Sequence, residues 1–124
     1  MANNSVIKTS IAPWLTVPEG EKAVAFYKAA FDAKETYRLD EAVVVRLSVN
    51  DAEFWISEDA KQKAALGANN IRMILIVANP EELFDKAIKA GAKEIFPVGI
   101  DHGWKMGRIE DPFGLHWEIG HPVE

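Results

Sequence analysis

The chain runs through the same series of segments twice, and this repetition narrows the folds open to it more than any single motif. In the first run, the apolar stretch "IAPWLTV" (11–17) leads into "PEGEKAVAFYKAAF" (18–31). There Ala23, Phe26, Tyr27, Ala30 and Phe31 fall at helical spacing and mark the buried face of an amphipathic helix. Three strand-like segments follow, "AKETYRL", "AVVVRLSV" and "AEFWIS", rich in β-branched and aromatic residues, with Asn50-Asp51 placed to turn the last two. The order is βαβββ. The second run repeats it. "IRMILIV" (71–77) is a strand, Asn79-Pro80-Glu81-Glu82 opens a helix with a cap, a first-position proline and first-turn acids, and Gly91 stops it. Leu83, Phe84, Ala87 and Ile88 form that helix's buried stripe. "KEIFPVGI", "WKMGRIE" and "LHWEIG" supply three more strands.

The halves align in letters as well as in pattern. "DAKETY" (32–37) follows the first helix as "GAKEIF" (91–96) follows the second. A four-stranded sheet with one helix cannot cover both its faces, so each copy invites the other. We therefore expect one α+β domain over residues 1–124, with module one at about 8–60, a polar Gly/Asn linker "KQKAALGANN" at about 61–70, and module two at about 71–122.

Composition removes several classes of function. A net charge of −5 without a Lys/Arg cluster would not draw phosphate backbones or acidic lipids, so neither nucleic acid nor a membrane is expected as a partner. No cysteine means no disulfide, thiolate nucleophile or Cys-based zinc site. The start, "MANNSVIKTS", lacks the apolar core of a signal peptide, and the longest aliphatic run, "MILIVA", is strand-sized, so a cytoplasmic location is expected. There is no G-x-S-x-G elbow, P-loop or dinucleotide fingerprint.

The end of the chain, "EDPFGLHWEIG" (110–120), reads as a hairpin. Asp111-Pro112-Phe113-Gly114 supplies the turn, with Pro presetting φ and Gly accepting a positive φ. In the strand that follows, Leu115, Trp117 and Ile119 share one face and His116 and Glu118 the other. The first face is core, with Trp117 under a helix. The second holds an imidazole and a carboxylate roughly 6–7 Å apart.

"FYKAAFDA" in the first helix, "GAKE" after the second, and above all "GRIEDPFGLHWEI" resemble the glyoxalase / bleomycin-resistance / extradiol-dioxygenase superfamily, also called the vicinal oxygen chelate group. The "DPFG..W" variant looks most like its small PhnB-like members. The resemblance implies two βαβββ modules forming a curved mixed sheet, with helices on the convex side and a ligand on the concave side. It also implies a homodimer, since small members commonly dimerise. Metal-binding members usually take His and Glu ligands from the first and last strands of the two modules. Carried over, those positions fall on Ala12, Trp55 or a near neighbour, Arg72 and Glu118, of which only Glu118 keeps the family residue. One carboxylate does not hold a transition metal tightly. The inherited metal site therefore reads as lost and no cofactor is expected, with Arg72 placed to pair with Glu118 in the cation's stead.

Strand alternation gives the lining of the concave face. Module one contributes Ala12, Trp14, Thr16, Val44, Arg46, Ser48, Glu53, Trp55 and Ser57; module two contributes Arg72, Met106, Arg108, His116 and Glu118. Indoles and guanidinium groups together suit a planar or anionic small molecule. The expected ligand-binding residues are Trp14, Arg46, Trp55, Arg72, His102 and Arg108, with Glu118 and His116 as the acid–base candidates. Plainer roles stand beside these: packing or a dimer interface for Trp14 and Trp55, a cross-strand pair for Arg46 and Glu53, a pair with Glu110 or Glu118 for Arg108, a hydrogen-bonded strand residue for His116, and an ordinary turn for His102. The function expected is small-molecule binding. The alternative is a metal-dependent lyase or dioxygenase with a rearranged site of Glu118, His116 and His102. Acid–base catalysis without metal, by Glu118 or His116 with Arg72 stabilising charge, is a third reading.

Overall fold

The computed structural model describes residues 10–39, 41–61 and 72–123. Its elements run β1 (Trp14–Val17), α1 (Gly20–Phe31), β2 (Lys34–Leu39), β3 (Val44–Val49), β4 (Ala52–Glu58), β5 (Arg72–Ile76), α2 (Pro80–Ala90), β6 (Lys93–Asp101), β7 (Trp104–Glu110) and β8 (His116–Pro122). This is βαβββ twice, an α+β fold. All of the linker read at 61–70 except Lys61 lies outside the described residues.

Each module keeps its own four-stranded mixed sheet, in the order β1-β4-β3-β2 and β5-β8-β7-β6. In both, the first strand runs parallel to the fourth and the other pairs are antiparallel. The repeated letters explain part of this likeness. Asp32 and Gly91, which open "DAKETY" and "GAKEIF", are the C-caps of α1 and α2, with φ of 58° and 121°. Both helices thus stop by a residue at positive φ, which releases the chain into β2 or β6. The β3–β4 turn uses Asn50 and Asp51 at φ of 49° and 72°, the backbone that a two-residue hairpin needs and that Asn and Asp tolerate.

The helix starts differ from expectation in one detail. Asn79 precedes Pro80 as anticipated, yet its side chain makes no capping hydrogen bond. At α1 the corresponding service comes from a distant residue: Glu58 Oε1 accepts the Gly20 N–H at 2.8 Å.

All the helical positions read as buried in α1 are so, and its ring-bearing face reaches both sheets. Tyr27 packs against Phe54 of β4 at 5.2 Å between ring centroids and against Trp117 of β8 at 5.4 Å, while Phe54 and Trp117 meet at 5.3 Å. One hydrophobic core therefore spans both modules. Aromatic pairs of this kind add about 0.5–1.5 kcal/mol each beyond simple burial. The core takes one face of β1, β3, β4, β5, β7 and β8, while β2 and β6 at the sheet edges contribute no fully buried side chain. No described helix is long and apolar enough to cross a membrane.

Candidate functional site: the two outward sheet faces

The strand registers make the two outward faces comparable residue by residue. In module one the buried pair Leu15–Ile56 sits beside Trp14–Trp55; in module two the buried pair Leu75–Ile119 sits beside Ile74–Glu118. Trp55 therefore stands where the second module has Glu118. The same rung continues outward: Arg46 lies opposite Trp55 and Tyr37 opposite Arg46, as Arg108 lies opposite Glu118 and Phe96 opposite Arg108. Each face thus carries the sequence aromatic–arginine–(Trp or Glu)–(Trp or Ile) across its four strands.

Module one's rung is an aromatic platform. Trp14 and Trp55 stack with centroids 5.6 Å apart, and Tyr37 meets Trp55 edge-on at 5.7 Å. Trp14 donates its indole N–H to Ser57 Oγ at 2.9 Å, and Thr16 and Ser57 share a hydrogen bond of 2.9 Å, so the stack is held from its inner side. Arg46 lies over Trp55 at 5.4 Å, with its Nε donating to Thr36 Oγ1 at 2.9 Å and standing 3.3 Å from Glu53. Its positive charge faces the electron-rich indole ring. Trp14 is 55% exposed, so the platform is open.

Module two's rung is charged. Arg108 donates through Nε and Nη2 to Glu118 Oε2 at 3.1 and 2.7 Å, and its guanidinium covers the Phe96 ring at 5.3 Å. Arg72 Nε stands 3.3 Å from the same Glu118 oxygen. The structure thus brings Arg72, Arg108 and Glu118 together on one face. His116 is on this face too, opposite Arg72 on one side and Glu110 on the other, and its Nδ1 is buried without a hydrogen-bond partner among the described residues.

His102 is not brought to this cluster, so Glu118, His116 and His102 do not stand together on one face. His102 occupies the β6–β7 turn at φ 54°, is 89% exposed and pairs with its neighbour Asp101 at 2.9 Å. That turn lies beyond Trp104, which pairs with Pro122, whereas His116 pairs with Glu110 at the other end of the β7–β8 ladder, roughly 20 Å away. Among the described residues no three His, Asp or Glu side chains gather as a metal site would require. Nor do the positions suggested by the resemblance fit a divalent cation. Ala12, Trp55 and Arg72 offer it no lone pair, and the Glu118 oxygen is already engaged by two guanidinium groups.

Three features escaped the sequence reading. Tyr37 and Phe96 complete the two rungs, and aligning "DAKETY" on "GAKEIF" sets one on the other. The third is a cavity of about 630 Å³ at the seam of the modules, lined among others by Ile11, Phe54, Arg72, Ile74, Leu75 and Trp117. It is built by residues from both modules, which no strand-by-strand parity count could assemble.

Known proteins bear out this architecture. A protein of Mycobacterium tuberculosis described as uncharacterized is 28% identical over 131 residues, covering 94% of this chain and 76% of that one. The structure of an Arabidopsis thaliana gene product is similar at a TM-score of 0.69 and 24% identity, covering 93% of this chain and all of that one. The fosfomycin resistance protein FosX of Listeria monocytogenes, in an E126Q form complexed with Mn(II) and a dihydroxypropylphosphonic acid, is similar at a TM-score of 0.73 and 12% identity, covering 94% and 93%. Residues 9–119 match the family described as the Glyoxalase/Bleomycin resistance protein/Dioxygenase superfamily. With the paired βαβββ modules and this match over most of its length, the chain belongs to the Glyoxalase/Bleomycin resistance protein/Dioxygenase superfamily.

Proposed function

We propose that the protein binds a planar or anionic small molecule on its outward sheet faces, without the divalent metal used by relatives such as the Mn(II) complex of FosX. The observation that carries this reading is the register that puts Trp55 where the second module has Glu118. An indole at that position replaces a ligand atom with a stacking surface, and Trp14 and Tyr37 enlarge that surface. On the sister face, guanidinium groups stand around the remaining carboxylate and offer hydrogen bonds in a plane. Both faces are open and partly apolar, with Trp14, Ile74 and Phe96 each more than half exposed, so the working form is a homodimer in which a second copy covers them.

A second reading, a metal-dependent lyase or dioxygenase with Glu118 in a rearranged site, has one observation in its favour. His116 keeps a buried, unpartnered ring nitrogen on the face that Glu118 shares.

Two measurements on the same preparation separate these. Elemental analysis of protein purified without chelators, before and after incubation with zinc, nickel, manganese and iron, is expected to find no stoichiometric metal. Titration with planar compounds is expected to quench tryptophan emission saturably, with Trp55→Ala abolishing the effect and chelator leaving it unchanged. Stoichiometric metal that disappears in Glu118→Ala would overturn the metal-free reading in favour of the enzyme.

A further inference from the structure

Module two's face offers far more hydrogen-bonding capacity than it consumes. Arg72 and Arg108 each carry five N–H donors in a rigid plane. Arg108 spends its Nε and Nη2 on a single oxygen, Glu118 Oε2, and Arg72 presents only its Nε to that oxygen, at 3.3 Å. Among the described residues Arg72 makes no other ion pair, and its side chain is 49% exposed. Two guanidinium groups therefore converge on one carboxylate oxygen with their remaining planar edges unspent.

The surroundings define what could use those edges. Phe96 underlies the Arg108 guanidinium at 5.3 Å and fixes its plane. Ile74 flanks Glu118 in the register and is half exposed. Arg72 also lines the 630 Å³ seam cavity, whose inner wall is Phe54, Leu75 and Trp117, and among the described residues it is the one cation in that lining. Asp51 and Glu53 line the cavity as well, and Glu53 is already engaged by Arg46 at 3.3 Å. A cationic fork at the border of an apolar cavity recognises an apolar body that ends in a planar oxyanion.

We infer that Arg72 and Arg108 together clamp the oxyanion of an apolar carboxylic acid, with Glu118 as the internal anion that holds both guanidinium groups in place when the site is empty. The inference rests on the reading that this chain binds a small molecule, and it names the class of ligand. The oxyanion adds hydrogen bonds to the free edges of the two guanidinium groups, and the apolar body lies on Ile74 and in the seam cavity. Glu118 is here a positioning residue; Arg72 and Arg108 are the ones that touch the ligand.

The probes are naphthalene-2-carboxylate and its neutral counterpart naphthalene-2-carboxamide, titrated calorimetrically into the full chain, while the arginine Nε–H signals are followed by NMR. The carboxylate is expected to bind about tenfold tighter than the amide, with the Arg72 and Arg108 Nε signals shifting and the preference surviving chelator. Arg72→Gln and Arg108→Gln should erase the preference. Arg72→Lys should restore it only in part, because an ammonium lacks the planar fork. Arg38→Gln, on α1's side of the molecule, should leave it intact. Equal affinity for both probes, unaffected by the arginine variants, would overturn the clamp and leave small-molecule binding standing. A preference that appears only with added metal would likewise overturn it. Failure of either probe to bind the unaltered protein would overturn the clamp and count against the broader reading with it.

Discussion

Tyr27, on the helix of the first module, donates its phenol proton to the carboxylate of Asp111, in the last turn of the second. The same oxygen, Oδ2, accepts the Trp117 indole N–H at 2.9 Å, and Oδ1 accepts the backbone N–H groups of Phe113 and Leu115 at 2.9 and 3.0 Å. Asp111 is 3% exposed. Four donors thus compensate a carboxylate that has been taken out of water, and one of them ties the modules together. Tyr27→Phe leaves Oδ2 with a single donor and is expected to cost about 1–3 kcal/mol in urea denaturation. An unchanged midpoint would show that the phenol contributes nothing there.

Asp111 also gives the fold a pH signature. Burial raises its pKa above the ordinary 3.8, an effect that the Tyr27 hydroxyl and the three N–H donors oppose but do not cancel. The folded state therefore holds this proton more firmly than the unfolded state. Between the ordinary and the raised value, the contribution of Asp111 to stability falls as pH rises. Asp111→Asn cannot titrate, so the stability gap between native protein and variant should be widest in acid and narrow as pH climbs through that window. Denaturation midpoints of both proteins across the acid range test this; a gap that widens with pH reverses the sign and refutes it.

Glu35 should behave the opposite way. Hydrogen bonds from Arg38 hold its pKa down at about 2, with Lys28 contributing less. Its contribution to stability is complete above the ordinary value of 4.5 and is lost as pH falls toward 2. The group sits at the surface, where solvent screens such pairs, so the effect on stability is small and the titration itself is the sharper readout. In Arg38→Gln the Glu35 carboxyl carbon should titrate near the ordinary value by NMR. A midpoint that stays near 2 would mean that Arg38 is not the cause.

Much of the fold was legible because hydrophobic periodicity and turn chemistry are local properties. The α1 stripe, the Asn50-Asp51 turn and the Gly114 turn, which adopts φ of 89°, all follow from residues within one element of each other. The candidate site was legible only as parity. Alternation put Arg72, Arg108 and Glu118 on one face, but which rung each occupies depends on strand register, and register is a relation between distant segments. The same limit explains Asp111. As part of Asp-Pro-Phe-Gly it reads as a turn residue, and nothing within that stretch announces that a tyrosine from the other module reaches its carboxylate. His102 shows the same limit from the other side: its sequence carries no sign that its turn lies at the opposite end of the β7–β8 ladder from His116.

Gly120 is required by close approach and not by an unusual φ. A Cβ at this position of β8 would lie 1.9 Å from the Lys105 carbonyl oxygen and 2.8 Å from Met106 Cα, both backbone atoms of β7. Backbone cannot rotate away as a side chain can, so Gly120→Ala must part the β7–β8 ladder locally. The expected loss is about 3 kcal/mol or more. Because β8 also carries His116 and Glu118, the variant should lose the Arg108–Glu118 hydrogen bonds, visible as a shift of the Arg108 Nε signal. Normal stability in Gly120→Ala would mean that the two strands have room to separate.

The homodimer can be tested at an outward residue that belongs to neither the aromatic platform nor the arginine rung. Ile76, on β5, is 52% exposed and faces outward with Arg72 and Ile74. In a chain whose outward faces cover one another, burying this side chain contributes about 1.5–3 kcal/mol, which corresponds to roughly a tenfold to hundredfold change in dissociation constant. Ile76→Lys removes that apolar area and sets an ammonium in its place, so sedimentation velocity over a concentration series should show a dimer for the native chain and a shift toward monomer for the variant. Ile100→Lys is the control: Ile100 is 69% exposed but pairs with Lys105, on the face that α2 occupies, so its variant should leave the dimer unchanged. If the native chain sediments as a monomer throughout, the outward faces work uncovered. The aromatic platform and the arginine rung would then each bind ligand alone, and two ligands per chain should be counted by calorimetry.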